Sequence, residues 1–155
     1  MPPSTKTATP ASPLNAVVTA ARAHDDVARW ITAVLADPAK ARAKAPDVIV
    51  PLLLAALNGG AGESDKTLSL ATPLLVVAST DAEAERVADA VRWYVGEDQA
   101  AAYLSRGVPY GSGLAPAAAP AGSRQNARDV AAAGGVVVAS LRALTERVPA
   151  AHVRP

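Results

Sequence analysis

The chain has 155 residues, which suits one ordinary domain and is short for two. Its formal net charge is only +1 and no concentrated basic stretch is evident, which argues against strong nucleic-acid binding. The lack of cysteine excludes disulfides, iron–sulfur clusters and thiolate zinc sites. The two histidines, His24 and His152, have no carboxylate at ligand spacing, so we expect no metal site.

The composition predicts a thin hydrophobic core. Half of the residues are hydrophobic, but many of these are alanine and there is no phenylalanine. We expect the core to use Val, Leu, Ile and the aromatic residues Trp30, Trp93, Tyr94 and Tyr103. Residues 1–13 resemble no secretory signal and no apolar run is long enough to span a bilayer, so we expect a soluble, cytoplasmic protein.

The N-terminal part of the chain reads as a disordered lead-in followed by helices. Residues 1–13 are small, polar or proline, and cannot offset the entropy of ordering. The clearest helix is Asp25–Ala36, whose apolar residues recur at helical spacing, with Asp25 and Asp26 as its predicted cap. Asp47–Val50 could be a short strand, and Pro51 then begins a helix that stops at Asn58-Gly59-Gly60.

The segment from Pro73 to Gly96 has the pattern of half a βαβ unit. The apolar run in Pro73–Ser79 predicts a strand that is covered on both faces. Thr80 and Glu83 form a capping box in front of an amphipathic helix, which Gly96 ends. Residues 14–106 thus hold the helical N-terminal part and the first strand–helix unit, with a further strand expected at Ala101–Leu104.

The remaining residues predict a loop and a second unit. Residues 107–122 are rich in Gly, Pro and Ala and are expected to form a loop, and 123–155 a helix–strand–helix unit. Within that unit Val136–Ala139 reads as a fully buried strand, and Ser140 caps a short helix, Leu141–Val148. Alternating strands and helices predict an α/β fold with a partial parallel sheet and flanking helices.

One stretch has the spacing of a phosphate-binding P-loop. Gly60 and the pair Lys66-Thr67 match G-x-x-x-x-G-K-[ST], but Asp65 occupies the position of the second glycine. A carboxylate there repels phosphate and crowds the turn, and the stretch follows a helix rather than a strand. We therefore interpret Gly60, Asp65, Lys66 and Thr67 as non-functional and expect no bound cofactor.

Other candidates for chemistry have structural explanations. Asp81 lies just beyond a strand, where α/β proteins bind ligands, but a helix start also favours an acidic residue. Ser79 and Ser140 have no histidine near them in the sequence. Arg142 and Arg147 are most simply solvated, with contact to a partner as the second interpretation. No catalytic or metal-binding residue is predicted.

The order of three segments resembles the N-terminal module of bacterial transcription-repair coupling factors. The segments are Ala45–Leu57, Pro73–Glu85 and Gly135–Pro149, which includes Leu141-Arg142-Ala143-Leu144-Thr145-Glu146-Arg147-Val148. The likeness covers about Ala45 to Val148. The family's Pro-x-Trp-Glu-x-Leu-Pro type segment is replaced here by Val108–Pro116 without the Trp-Glu pair, so that loop's contacts do not transfer.

The resemblance implies a scaffold rather than an enzyme. In that family the module is similar to part of the helicase UvrB without a working P-loop, and it helps to recruit UvrA. ATP and Mg²⁺ are used, and RNA polymerase and DNA are bound, by segments that this chain does not contain. The resemblance thus implies a fragment of a larger repair factor with UvrA as partner, and it predicts an incomplete sheet with an exposed edge or apolar patch.

Two other functions remain open. One is a small-ligand or nucleotide-binding α/β domain, with its pocket at the loops after Ser79 and Ser140. The other is a regulatory protein-interaction domain that docks through the helix Asp25–Ala36. That interpretation requires Val27, Trp30 and Val34 to be exposed.

Overall fold

The protein is a parallel sheet flanked by helices. The computed structural model describes residues 14–59, 73–108 and 118–146, together with Ser12, Ser112 and Leu114. The strands, in the spatial order β1–β3–β2, are Leu74–Ala78 (β1), Ala100–Tyr103 (β2) and Val136–Ser140 (β3). The described helices are Asn15–Arg22 (α1), Asp25–Ala36 (α2), Val50–Asn58 (α3), Asp81–Val95 (α4), Ala118–Ala132 (α5) and Leu141–Thr145 (α6). The predicted fold class, α/β with a parallel sheet, is confirmed.

The central strand is β3, which pairs in parallel with both neighbours. Val136 lies opposite Leu74 of β1 and opposite Ala100 of β2. Parallel neighbours require crossover connections, and two helices supply them. α4 packs on one face of the sheet and α5 on the other, so the sheet separates two cores. Every residue of β3 is buried, as predicted for Val136–Ala139.

The larger core lies between the sheet and helices α1 to α4, and much of it is alanine. Ala55 and Ala56 of α3 and Ala84 and Ala88 of α4 are completely buried. Small side chains let the α3 and α4 backbones approach each other closely, so packing is achieved with little volume. The largest fully buried apolar side chains are Ile31, Val18, Val91, Val136 and Val138.

The aromatic residues contribute less to the core than predicted. Tyr103 is buried, and Trp30 and Tyr94 are partly buried against the larger core. Trp93 is 67% exposed, because it lies on the side of α4 that faces away from the sheet. The expectation that Trp93 belongs to the core was therefore wrong.

The smaller core lies beneath α5 and α6, and no described element covers β1 on this face. Ala127, Val130 and Ala143 pack there against β2 and β3. Leu75 and Val77 of β1 point to the same face and are each 55% exposed. A helix about 10 Å across covers roughly two strands spaced about 4.8 Å apart, so α5 alone cannot cover three. The expectation that β1 is covered on both faces was wrong for this reason.

Helix boundaries mostly follow the predicted signals, with three local corrections. α6 ends at Thr145, because Glu146 has an extended backbone, rather than at the predicted Val148. α2 spans the predicted residues, but its cap is His24, whose Nδ1 accepts a hydrogen bond from the Asp26 N–H at 3.3 Å, rather than Asp25 or Asp26. α5 begins at Ala118, inside the segment predicted as a loop. Pro120 is tolerated in its first turn, where backbone N–H groups have no helical acceptor.

The short strand predicted at Asp47–Val50 was wrong. Residues 47–49 form a turn, in which the Ile49 N–H donates to the Pro46 carbonyl oxygen at 2.9 Å, and Val50 begins α3. Pro51 lies in the first turn of α3 as predicted, and Gly59 ends that helix at a φ of 97°. None of the described helices has both the length and the apolar character needed to cross a bilayer.

We expect Gly135→Ala to destabilise the protein because the site has no room for a methyl group. A Cβ there would lie 2.6 Å from the Gln99 carbonyl oxygen and 2.6 Å from Val130 Cγ1. Overpacking of this kind costs about 1–3 kcal/mol, measured as a lower free energy of unfolding in urea.

The matched control is Gly122→Ala in α5, where a Cβ meets nothing within 4 Å. This substitution should raise the free energy of unfolding by about 0.5–1 kcal/mol, because glycine inside a helix is entropically unfavourable. Equal effects of the two substitutions would contradict the close approach at Gly135.

Candidate functional site

The carboxyl ends of the three strands lie at one edge of the sheet, which we call the carboxyl edge. It is formed by the residues that follow β1, β2 and β3, and by the start of α4. The chain leaves β1 into α4 on one face, and leaves β3 into α6 on the other face. The gap between β1 and β3 is therefore a topological switch point, where open α/β sheets commonly bind ligands.

A single carboxylate, that of Asp81, bridges this switch point. Asp81 Oδ1 accepts hydrogen bonds from the Ser140 hydroxyl at 2.5 Å and from the Ser105 N–H at 3.0 Å. Asp81 Oδ2 accepts a further bond from the Ser105 hydroxyl at 2.5 Å. Asp81, three residues beyond the end of β1, thus joins Ser105, two residues beyond the end of β2, to Ser140, the last residue of β3. We call Asp81, Ser105 and Ser140 the Asp81 hub.

The hub favours the ionised form of Asp81. Burial raises the pKa of Asp81, but hydrogen bonds donated by Ser105 and Ser140, with the positive charge of Arg142, outweigh burial and hold the pKa below its ordinary value. A carboxylate with a lowered pKa is a weak proton acceptor, whereas a general base works best when its pKa lies near the operating pH.

Ser140 is placed for structure rather than for nucleophilic attack. It is completely buried, and its Oγ accepts a hydrogen bond from the Ala143 N–H at 3.1 Å, which caps α6 as predicted. Its hydroxyl proton is donated to Asp81. A nucleophile needs access to the substrate and a base able to take its proton, and Ser140 has neither here.

At the start of α4, Thr80 is the cap as predicted, but Glu83 reaches back to Ser79, one residue before the cap. Thr80 Oγ1 accepts from the Glu83 N–H at 3.1 Å. Glu83 Oε2 reaches back past Thr80 and accepts from the Ser79 N–H at 3.0 Å and the Ser79 hydroxyl at 2.5 Å. The bonds from Ser79 hold the pKa of Glu83 below its ordinary value. Both Ser79 and Glu83 therefore have structural partners.

A second polar cluster joins α5, α6 and the end of β2. The Arg124 guanidinium donates to Glu146 Oε2 at 2.7 Å, to the Leu104 carbonyl oxygen at 3.0 Å and to Tyr103 Oη at 2.5 Å. It also lies 4.3 Å from the centre of the Tyr103 ring. Glu146 accepts a further hydrogen bond from the Arg106 N–H at 3.0 Å. The side chains of Arg124 and Glu146 are only 11% and 18% exposed, so this is a largely buried ion pair.

An apolar groove of about 310 Å³ lies on the face of the sheet that α5 leaves open. We call it the β1 groove, and its lining includes Leu75, Val137, Ala131, Leu144 and Arg128. Among the lining residues Leu75 and Leu144 are exposed, and Val77 extends the same apolar surface along β1. The groove lies over the sheet, away from the loops after Ser79 and Ser140 where a ligand pocket was expected. An exposed apolar surface of this kind is typical of an interaction site.

The sequence identified some of these residues and missed others. Asp81 and Ser140 were named separately, and the structure brings them together. Ser105 was missed, although it lies only two residues beyond the carboxyl end of β2, at the same edge of the sheet as Asp81 and Ser140. Nothing in the sequence signals the pairing of Arg124 with Glu146, because the two residues are 22 positions apart, one within α5 and the other directly after α6.

The other predicted positions have mixed outcomes. Arg142 is exposed on α6, and its charge acts on Asp81. Arg147 and the P-loop-like residues Gly60, Asp65, Lys66 and Thr67 lie outside the described residues. Among the residues that the structure does describe, no group of three or more His, Asp or Glu side chains is placed to hold a metal ion.

Helix α2 is not a free docking helix. Val27, Trp30 and Val34, which that interpretation requires to be exposed, are half-buried and pack against the larger core. Ile31, on the same helix, is 1% exposed. The apolar side of α2 is thus used in folding, and the hypothesis that the chain docks through it was wrong.

Comparisons with known proteins gave no relative. The chain has no significant match to any protein-family model, to any curated protein or to any solved structure. The resemblance to transcription-repair coupling factors is therefore an expectation that comes only from the order and pattern of three segments of the sequence.

We expect Asp81→Asn to lower the free energy of unfolding at pH 7, because a neutral amide accepts the hub's hydrogen bonds more weakly. Hydrogen bonds to a charged group contribute about 1.5–3 kcal/mol when buried, and the partly exposed hub should lose about 1–2 kcal/mol. Urea unfolding at pH 7 measures this loss, with the exposed residue Asp98 in an Asp98→Asn control.

The same pair of proteins tests the pH dependence. Because the pKa of folded Asp81 is lowered, its contribution to stability is complete above the unfolded pKa of about 3.9 and is lost as the pH falls through the folded value. The difference between the wild type and Asp81→Asn should therefore narrow below about pH 4. A constant difference from pH 7 to pH 2 would contradict an ionised hub.

We expect Glu146→Ala to destabilise the protein by about 3 kcal/mol, because it leaves the largely buried charge of Arg124 without its carboxylate. The double variant Arg124→Met with Glu146→Leu should recover part of this loss, since it removes both charges and keeps apolar volume. Thermal and urea unfolding of both variants provide the measurement. If the double variant is less stable than Glu146→Ala, the ion pair is not the source of the effect.

Proposed function

We propose that this chain is a cytoplasmic scaffold and interaction module of a transcription-repair coupling factor, and that it contributes to recruiting UvrA at stalled RNA polymerase. The observation that carries the proposal is the uncovered apolar surface of β1, where Leu75 and Val77 are both 55% exposed. A partial sheet with such a surface is what the resemblance predicted. In parallel sheets both faces are normally covered, so this surface suits contact with another protein part.

The polar groups of the carboxyl edge support a structural role. Asp81, Glu83 and Glu146 each accept at least two hydrogen bonds from neighbouring elements. Such bonds fix the positions of strands and helices, and they lower the ability of the first two carboxylates to take up protons. A rigid edge of this kind is useful to a scaffold that must present a fixed surface.

The test is a binding experiment with the purified chain and purified UvrA. We expect a cooperative melt of the chain by circular dichroism and saturable binding to UvrA, measured by pull-down and then by titration. The matched control is the Gly135→Ala variant, whose weakened fold should reduce binding in proportion to the fraction unfolded. A cooperatively folded chain that does not bind UvrA would overturn UvrA as the partner of this module.

A further inference from the structure

The β1 groove lies beside α5 on the same face of the sheet, in the place where a further helix would cover β1. On the opposite face of the sheet, Leu74 and Val76 of β1 are partly buried against the larger core. On the groove face, α5 lies over β2 and β3, and β1 has no helix above it among the described residues. No described element therefore fills the space beside α5 along β1.

The lining of the groove favours a helix as its occupant. Its floor is formed by the sheet residues Leu75, Val137 and Ala139, and one wall by Ala127 and Ala131 of α5. Small alanines on this wall allow a second helix to approach α5 closely, at the interaxial distances of about 8–10 Å seen for packed helices. The sheet floor offers the flat apolar surface on which helices pack in α/β folds.

The rim of the groove carries a positive charge. Arg128 of α5 lines the groove and makes no ion pair with another described residue. The residues three and four positions away on α5 are Arg124, Gln125, Ala131 and Ala132, so no carboxylate lies at helical contact spacing. An occupant with a carboxylate beside its apolar stripe would pair with Arg128 at a partly desolvated site.

From this shape and charge we propose that the β1 groove binds an amphipathic helix of a partner protein, with an apolar face seated on Leu75 and Val77 and an acidic side chain paired with Arg128. This inference rests on the proposed function as an interaction module, and it specifies the surface and the chemistry of the partner. It does not depend on UvrA being that partner.

The test uses the full chain and two synthetic helical peptides of about 18 residues, long enough to form helix in part. Both carry Leu at i, i+3, i+4 and i+7, and they differ only in having Glu or Lys next to this stripe. Fluorescence anisotropy measures each affinity. We expect the Glu peptide to bind at least about tenfold more tightly than the Lys peptide.

Substitutions locate the binding surface and its charge. Val77→Glu should weaken binding of the Glu peptide by about tenfold or more, whereas Val48→Glu, at a position that is 76% exposed and remote in sequence, should not. Arg128→Glu should reverse the preference between the two peptides, and Arg42→Glu, also at an exposed position, should leave it unchanged. Val77→Thr keeps the volume and strand preference of valine and should weaken binding in the same direction if Val77→Glu impairs folding.

The outcomes separate this proposal from the proposed function. If neither Val77→Glu nor Arg128→Glu changes the peptide affinities, or if neither peptide binds, the proposal that the groove binds a helix is wrong. Self-association of the chain in ultracentrifugation that Val77→Glu abolishes would assign the surface to a second copy instead. If UvrA binds the chain and Val77→Glu has no effect, the proposed function stands and the groove proposal fails. If the Glu peptide binds and UvrA does not, the groove proposal stands with a different partner.

Discussion

The Asp81 carboxylate is the interaction on which the arrangement of the sheet depends most. Hydrogen bonds between strands fix their register, but they do not fix how the chain leaves each strand. Asp81 fixes the path of the chain beyond all three strands, because it accepts hydrogen bonds from Ser105 and Ser140 while it occupies the first turn of α4. Removing one acceptor would therefore release the exits of β1, β2 and β3 together.

These polar contacts matter in this protein because its alanine-rich core buries little apolar surface area. Burial of a methylene-sized group contributes about 0.8 kcal/mol, whereas a fully buried Val or Leu contributes about 1.5–3 kcal/mol. The contact between α3 and α4 is filled by alanines, each of which contributes a free energy of burial near the lower of these values: Ala55, Ala56, Ala84 and Ala88. The Asp81 hub and the Arg124–Glu146 pair add directional contacts at the places where α4, α5 and α6 meet the sheet. Polar contacts of this type select one arrangement among several that small residues would permit.

Local patterns in the sequence predicted most helices and strands of the fold. They did not predict contacts between residues that are distant in the sequence. The periodicity of Asp25–Ala36 and the apolar run Leu74–Ala78 are properties of neighbouring residues, so α2 and β1 were predicted closely. Whether a strand is covered on both faces depends on how many helices pack above it. For that reason the apolar run by itself predicted a strand covered on both faces, whereas Leu75 and Val77 are exposed. Residues 47–50 were predicted as a strand because periodicity alone cannot distinguish a short apolar strand from the approach to an apolar helix, which here begins at Val50.

Strand β1 also has a consequence for how the chain behaves while it folds. It is an outer strand of the sheet, its five residues Leu-Leu-Val-Val-Ala carry no charge and no proline, and one of its faces is open. Segments with these properties readily add to identical segments of other molecules, and natural proteins usually protect them with a charged residue or a covering element. A molecule bound to this surface would therefore also reduce aggregation through β1. The chain would then stay monodisperse to a higher concentration when this surface is occupied.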